Sequence, residues 1–214
     1  MSRIRIATSN LGKLRDFAGA AKRYGIEIAG ITNFASLPMV VEDGLTFEAN
    51  ARKKAEAYSR YAPAEIVLAD DSGLEIDALN GAPGVHSARY AAPDLHGKEP
   101  HEADANTDDE ANNARVLREL KQVPWPARTG RFVCVLAAAC DEKTLATFRG
   151  TAEGIILEAP RGENGFGYDP LFYFPPIQKT FAELTAEEKS KYSHRAAAFC
   201  LFLKWYEDSA NRAR

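Results

Sequence analysis

The period of the apolar positions changes along the chain, and each change predicts an element. Arg3 to Thr8 reads as a short β-rich run. From Leu11 to about Tyr24, Leu11, Leu14, Ala18 and Ala21 recur every three or four residues, which predicts a helix ended by Gly25. Ile26 to Ile31 predicts a second strand. A loop containing Pro38 then leads through Val40, Val41, Glu42, Asp43 and Gly44 to Thr46, a good helix N-cap. Phe47, Ala51, Ala55 and Tyr58 share one face of the next helix, from Phe47 to about Tyr61, which Pro63 stops. Glu65 to Asp70 predicts a buried strand that ends at Asp70-Asp71-Ser72-Gly73, and Leu74 to Asp77 predicts another.

The second half is patterned differently. Asn80 to Pro100 is rich in Gly, Pro and Ala and predicts loop, and about 94–112 is acidic and sparse in apolar residues. That tract predicts a flexible excursion before a helix at about Asn112 to Lys121. Gly130 to Asp141 and Lys143 to Gly154 predict a long hairpin with its turn at Asp141-Glu142-Lys143, and Ile155 to Leu157 and Pro170 to Phe174 are further strand candidates. Thr185-Ala186-Glu187-Glu188 fits a capping box. Ser193 caps a longer helix carrying Phe199, Phe202, Leu203 and Tyr206 at i, i+3, i+4 and i+7. No repeat or low-complexity linker interrupts the order β-α-β-α-β-β, hairpin, helix, which predicts an α/β fold with a mixed sheet.

Composition narrows the function. The 214 residues carry 27 Lys+Arg against 30 Asp+Glu, a formal charge of −3, so no global basic field exists to hold nucleic acid. An anionic ligand must meet a local cluster of cations and backbone N–H groups. The longest mainly apolar run, Phe132 to Cys140, is about half the length a membrane span requires. No signal-peptide pattern opens the sequence, and Cys134, Cys140 and Cys200 lack C-x-x-C spacing. A cytoplasmic protein with reduced thiols is expected.

Five clusters carry chemistry. In Ala7-Thr8-Ser9-Asn10-Leu11-Gly12-Lys13 a strand feeds a helix N-terminus, which suits an anion, with Lys13 as a point charge; an ordinary Asn10 cap beside a solvated lysine is the alternative. Glu42 and the pair Asp70-Asp71 suit Mg2+ on phosphates, or else the aspartates simply start a turn. Strand alternation sends Asp70 and Asp71 to opposite sides. Asn50 and Lys54 lie four apart on one helix face, where Lys54 either orients a water or is solvated beside Arg52 and Lys53. Glycines around Phe166, Gly167, Tyr168 and Asp169 let backbone approach a flat ligand, or form a plain hairpin end. Lys189, His194 and Arg195 gather donors near a helix start, or are ordinary cap and surface residues.

The order of these blocks is specific. Ala7 to Lys13, Gly44-Leu45-Thr46-Phe47-Glu48-Ala49-Asn50-Ala51 and Ala69-Asp70-Asp71-Ser72-Gly73-Leu74 come in succession. Gly81-Ala82-Pro83-Gly84-Val85-His86-Ser87-Ala88-Arg89-Tyr90, Gly165-Phe166-Gly167-Tyr168-Asp169-Pro170 and Ser193-His194-Arg195 follow. From about Ile4 to Leu203 the chain resembles the inosine/xanthosine triphosphate pyrophosphatase family, departing from it in the longer, more acidic tract at about 94–112.

The resemblance implies one domain over 1–214, an elongated mixed sheet with flanking helices and two lobes around a central cleft, and a homodimer. It implies Mg2+-dependent hydrolysis of deaminated purine nucleoside triphosphates (ITP, dITP, XTP) to the monophosphate and pyrophosphate. Thr8, Ser9, Asn10, Leu11, Gly12 and Lys13 would hold the triphosphate. Glu42 and Asp71 would ligate Mg2+, with Asp71 also the general base. Lys54 and Asp70 would assist at the water and phosphates, and Asn50 and Ser72 would touch substrate. Phe166, Gly167, Tyr168 and Asp169 would form the base platform, and Lys189, His194 and Arg195 would read the base. A catalytically silent nucleotide-binding module, or a pyrophosphatase for other modified nucleotides, are the alternatives.

Overall fold

The computed structural model describes residues 4–22, 24–92 and 108–212. Among these, seven strands form one sheet in the order β2-β1-β3-β4-β5-β6-β7. They are β1 (Ile4–Ile6), β2 (Ala29–Gly30), β3 (Ile66–Ile76), β4 (Thr129–Cys140), β5 (Lys143–Ile156), β6 (Phe172–Phe174) and β7 (Lys179–Thr180). The helices are α1 (Leu11–Lys22), α2 (Phe47–Ser59), α3 (Asp109–Glu119), α4 (Ala186–Tyr192) and α5 (His194–Arg212). Strand β1 pairs parallel with β2 and β3, whereas β5 with β6 and β6 with β7 are antiparallel, so the sheet is mixed. The expected α/β class with a mixed sheet is what the chain adopts.

The chain divides into two compact units, the first made of residues 1–72, 133–151 and 186–214 and the second of 73–132 and 152–185. The first unit's core joins Ile4, Ile6, Leu68, Leu136 and Phe148 from strands to Phe17 of α1 and Phe199, Phe202 and Leu203 of α5. Each buried large side chain contributes about 1.5–3 kcal/mol. Helix α5 starts where expected: Ser193 Oγ accepts from Ala196 N at 3.1 Å. It lies close because β5 has Gly150 opposite it, where a Cβ would stand 2.3 Å from both His194 O and Ala198 N. The second unit packs Leu74, Ile76, Phe132, Ile156, Phe172 and Phe181 with Val116 of α3 and Leu120 just past its end.

The β4–β5 hairpin turns at Asp141 (φ 48°) and Glu142 (φ 62°), the two left-handed residues of a type I′ turn. Ala64 N and Ser59 Oγ brace it, the first donating to Asp141 Oδ1 and the second accepting from Glu142 N. Helix α2 buries the expected face, with Thr46 Oγ1 accepting from Ala49 N at 3.1 Å.

Several expectations need correction. Leu11 and Ala18 of α1 are exposed, because the face is set by Phe17, Ala20 and Ala21, with Leu14 half-buried. The second strand shrinks to Ala29–Gly30, although Ile26 and Ile28 still pack on the core. The separate strands at Glu65–Asp70 and Leu74–Asp77 are one strand, and Ser72-Gly73 does not turn. The stretch expected to be loop contains a 3-10 helix at Gly84–Arg89. Helix α3 begins at Asp109 rather than Asn112, so the end of the expected acidic excursion is helical, and 94–107 lie outside the described residues.

Candidate active site

The strand β3 explains why two adjacent aspartates do not break the ladder: both are buried and both are met by cations or amides. Asp70 faces α1 and α5. Its Oδ2 lies 2.9 Å from Lys13 Nζ and 3.9 Å from Arg195 Nε. Asp71 faces α2, where Asn50 Nδ2 donates to its Oδ2 at 3.1 Å and Lys54 Nζ to its Oδ1 at 3.4 Å. Lys54 also donates to Glu42 Oε2 at 2.8 Å. The loop bearing Glu42 is held by Asn50, whose Oδ1 accepts from Gly44 N at 2.8 Å. Lys13 and Lys54 are therefore not the solvated lysines of the alternative reading.

At the start of α1, Asn10 does cap the helix: its Oδ1 accepts from Gly12 N at 2.8 Å and Lys13 N at 3.0 Å. Thr8 Oγ1 accepts from Asn10 N, while Ser9 and Leu11 are exposed. On α5, Arg195 is fixed at both ends of its guanidinium, with Nη2 donating to Ser72 Oγ at 2.9 Å and Nη1 to Asp16 Oδ2 at 3.2 Å. Lys189 Nζ stands 3.9 Å from the same Asp16 oxygen. Asp16 escaped the sequence reading; the signal was its place three residues after Lys13, on the same face of α1. His194 is buried beside these cations.

The electrostatics divide the two aspartates. Burial alone raises Asp70, but Lys13, Arg195 and Lys54 outweigh it and hold the carboxyl at about 2. Asp71 goes the other way: burial raises it and Glu42 adds to that, against the pull of Lys54 and Lys13. Burial lowers Lys54, yet Asp71, Glu42 and Asp70 together raise it, so it stays an ammonium. Burial pushes His194 well below the usual imidazole range, and Arg195, Lys189 and Lys13 push it further. An ionised Asp70 faces two cations, whereas the raised Asp71 is the more basic of the two carboxylates.

Whether these residues suit Mg2+ is decided by the donor set. Glu42 and Asp71 bring oxygen-only ligands that already converge on one positive charge, that of Lys54. Among the described residues no three His, Cys, Asp or Glu gather as a closed cage. A phosphate-bound Mg2+ asks for one or two carboxylates with water and phosphate oxygens completing its shell, so the pair fits.

The Gly165–Asp169 loop belongs to the second unit. Asp169 Oδ2 accepts from Phe166 N at 2.9 Å, and Tyr168 is buried with its hydroxyl donating to Ser87 O at 2.7 Å. Burial raises the Tyr168 phenol far above its ordinary value, so it remains a neutral donor. Phe166 is half-buried. Of the expected site residues, the first unit thus gathers Lys13, Glu42, Asn50, Lys54, Asp70, Asp71, Ser72 and Arg195 into one network.

Comparison with known proteins follows the same span. The model of the Ham1 family matches residues 4–205. A dITP/XTP pyrophosphatase of Geobacillus kaustophilus is 47% identical over 215 residues, 100% of this chain and 99% of its own. One from Bacillus cereus (strain ATCC 14579) is also 47% identical, over 92% of this chain and 91% of its own. Among solved structures, the Staphylococcus aureus Ham1 protein matches with a TM-score of 0.78 at 41% identity, over 97% of this chain and 100% of that one. A HAM1 protein from Coxiella burnetii gives 0.79 at 37%, with the same coverage. Similarity of this extent, in sequence and in fold, leaves one assignment: the chain belongs to the Ham1 family.

Proposed function

We propose that this protein hydrolyses deaminated purine nucleoside triphosphates (ITP, dITP and XTP) to the monophosphate and pyrophosphate, with Mg2+, and so clears them from the nucleotide pool. One observation carries the proposal: the buried network in which Glu42, Lys54 and Asp71 meet beside Asp70 and Lys13. A module that only bound nucleotide would have no use for two carboxylates joined by one lysine. The names of the relatives, dITP/XTP pyrophosphatases, support the same chemistry.

Glu42 and Asp71 would hold Mg2+, which when bound neutralises phosphate charge. Asp71 accepts the proton of the water that attacks the α-phosphorus, and the bond from that phosphorus to the bridging oxygen breaks, releasing pyrophosphate. Lys54 orients the Asp71 carboxylate. Lys13, held by Asp70, offsets the charge that grows on the phosphate oxygens in the transition state. Thr8 to Lys13 line the triphosphate end. Gly165 to Asp169 present the face that meets the base, and Lys189, His194 and Arg195 read it. Hypoxanthine and xanthine offer a 6-oxo acceptor to a buried donor such as Arg195, whereas adenine offers an amino donor. A buried donor left unsatisfied costs about 1–3 kcal/mol, roughly 10–100-fold.

The same reading makes the enzyme a cytoplasmic homodimer. Its three cysteines are free thiols, and Met39 and Leu45, 91% and 94% exposed on either side of Glu42, offer an apolar surface for a second copy. The deciding experiment is a panel of ITP, XTP, dUTP, GTP and ATP with Mg2+ and product identification. ITP and XTP are expected to be cleaved to monophosphate and pyrophosphate well ahead of ATP. Equal rates on ATP, or orthophosphate as the product, would defeat the proposal.

A further inference from the structure

The Gly165–Tyr168 turn is held from outside by the first two turns of α3, and this hold is not one the helix needs for itself. Gly167 sits in the left-handed region at φ 62°. Its N–H donates to Asp109 Oδ2 at 2.6 Å, and its carbonyl accepts from Asn113 Nδ2 at 3.0 Å. Both polar atoms of that one peptide residue are thus gripped by side chains four apart on α3, which stand one above the other on a single helix face.

Acids in a first helical turn ordinarily serve their own helix, by capping it or countering its dipole. Here the N-cap residue Asp108 makes no side-chain cap bond, and Asp109 reaches Gly167 instead. Asn113 makes no other polar contact among the described residues; its Oδ1 is buried and has no partner there. The neighbouring Asn112 does ordinary structural work, accepting from Ala91 N at 2.8 Å. The turn is otherwise held by Phe166 N donating to Asp169 Oδ2, Asp169 N donating to Phe166 O, and the Tyr168 hydroxyl donating to Ser87 O. Asp109 and Asn113 add a hold on the glycine between Phe166 and Tyr168, the residue of the pair's connection with the most backbone freedom.

We infer that Asp109 and Asn113 are positioning residues that set the orientation of the Phe166–Tyr168 face toward the purine base. The inference rests on the proposed function, which gives that face its ligand. Loss of either grip leaves Gly167 free to rotate and weakens base stacking, without touching the groups that handle the phosphates.

The test is steady-state kinetics on Asp109→Ala and Asn113→Ala with ITP. Inorganic triphosphate serves as a competitive probe of the phosphate end, and amide hydrogen exchange is followed at Gly167. Each variant is expected to raise KM for ITP about tenfold, equivalent to about 1.4 kcal/mol. The expected kcat stays within twofold of wild type, the inhibition constant for inorganic triphosphate is unchanged, and Gly167 exchange speeds at least tenfold. Asp109→Asn, which keeps an acceptor, should restore most of the KM. If the wild-type enzyme cleaves ITP and KM stays within twofold in both alanine variants, the inference is overturned. A joint change in kcat, KM and triphosphate inhibition would mark a merely structural role and overturn it too. Wild-type protein that leaves ITP intact would instead sink the reading beneath it, while Gly167 exchange would still report whether the grip exists.

Discussion

At the scale of single residues, the division of labour between Asp70 and Asp71 is set by what each carboxylate faces. The two share a peptide bond, yet one is held at about 2 by three cations and the other is raised by burial. The second is therefore the more basic of the two carboxylates, which is why the proposed function gives it the proton. Asp71→Asn keeps the shape of the side chain and removes the proposed base and one of the two proposed Mg2+ ligands. It is expected to lower kcat by about 10²–10⁴-fold while KM for ITP changes little; retention of more than a tenth of wild-type kcat would remove Asp71 from the role. Much of this was legible in the sequence, because adjacent acids at the end of a buried run, a lysine on the neighbouring helix and a lone glutamate in a loop are all unusual. What was not legible is partnership across distance. Nothing in the order of residues says that Lys13 would pair with Asp70 rather than stay in solvent, or that Asp16 would lie under Arg195.

At the scale of elements, the corrections share a cause: tertiary contacts override local signals. Asp70-Asp71-Ser72-Gly73 is a strong turn signal on its own, but contacts from Lys13, Asn50, Lys54 and Arg195 meet its side chains in place and β3 runs through it. In α1 the small residues gave an ambiguous stripe, and the one large ring, Phe17, decided which face turned inward. Where a local signal had no competitor it held, as with the Ser193 cap and the hairpin turn at Asp141-Glu142, although Lys143 already belongs to β5. Helix α5 depends on an absence of side chain. Gly150→Ala would drive a methyl into the backbone at His194 and Ala198, so it is expected to cost about 1–3 kcal/mol in urea denaturation. Because His194 and Arg195 begin that helix, the same variant should also lose selectivity for ITP over ATP. An unchanged denaturation midpoint would show that α5 yields without strain.

At the scale of the whole molecule, acidity acts on stability through the buried groups. His194 binds its proton only well below the ordinary 6.5, so the unfolded chain takes up a proton first and stability falls as the pH drops below about 6.5. Asp70 adds a second loss. Its stabilisation is complete above the ordinary 3.8 and disappears as the pH falls toward about 2, a difference of roughly 2 kcal/mol. Asp71, being raised, runs in the opposite sense and favours the fold on the acid side of its own titration. Urea midpoints are therefore expected to decline between pH 6.5 and 5 in the wild type and to be flatter in His194→Gln. Equal slopes in the two proteins would show that His194 is not the group responsible.

The chain passes between the two compact units four times, three of them in mid-strand, at 72/73, 132/133 and 151/152. No single scission of the polypeptide can therefore release either half intact. A fragment stopping at Phe132 would carry Asp16, Glu42, Asp70 and Asp71 and yet lack Arg195, the rest of β4 and helix α5. Neither unit can be exchanged as one continuous segment without cutting through strands that the other unit shares.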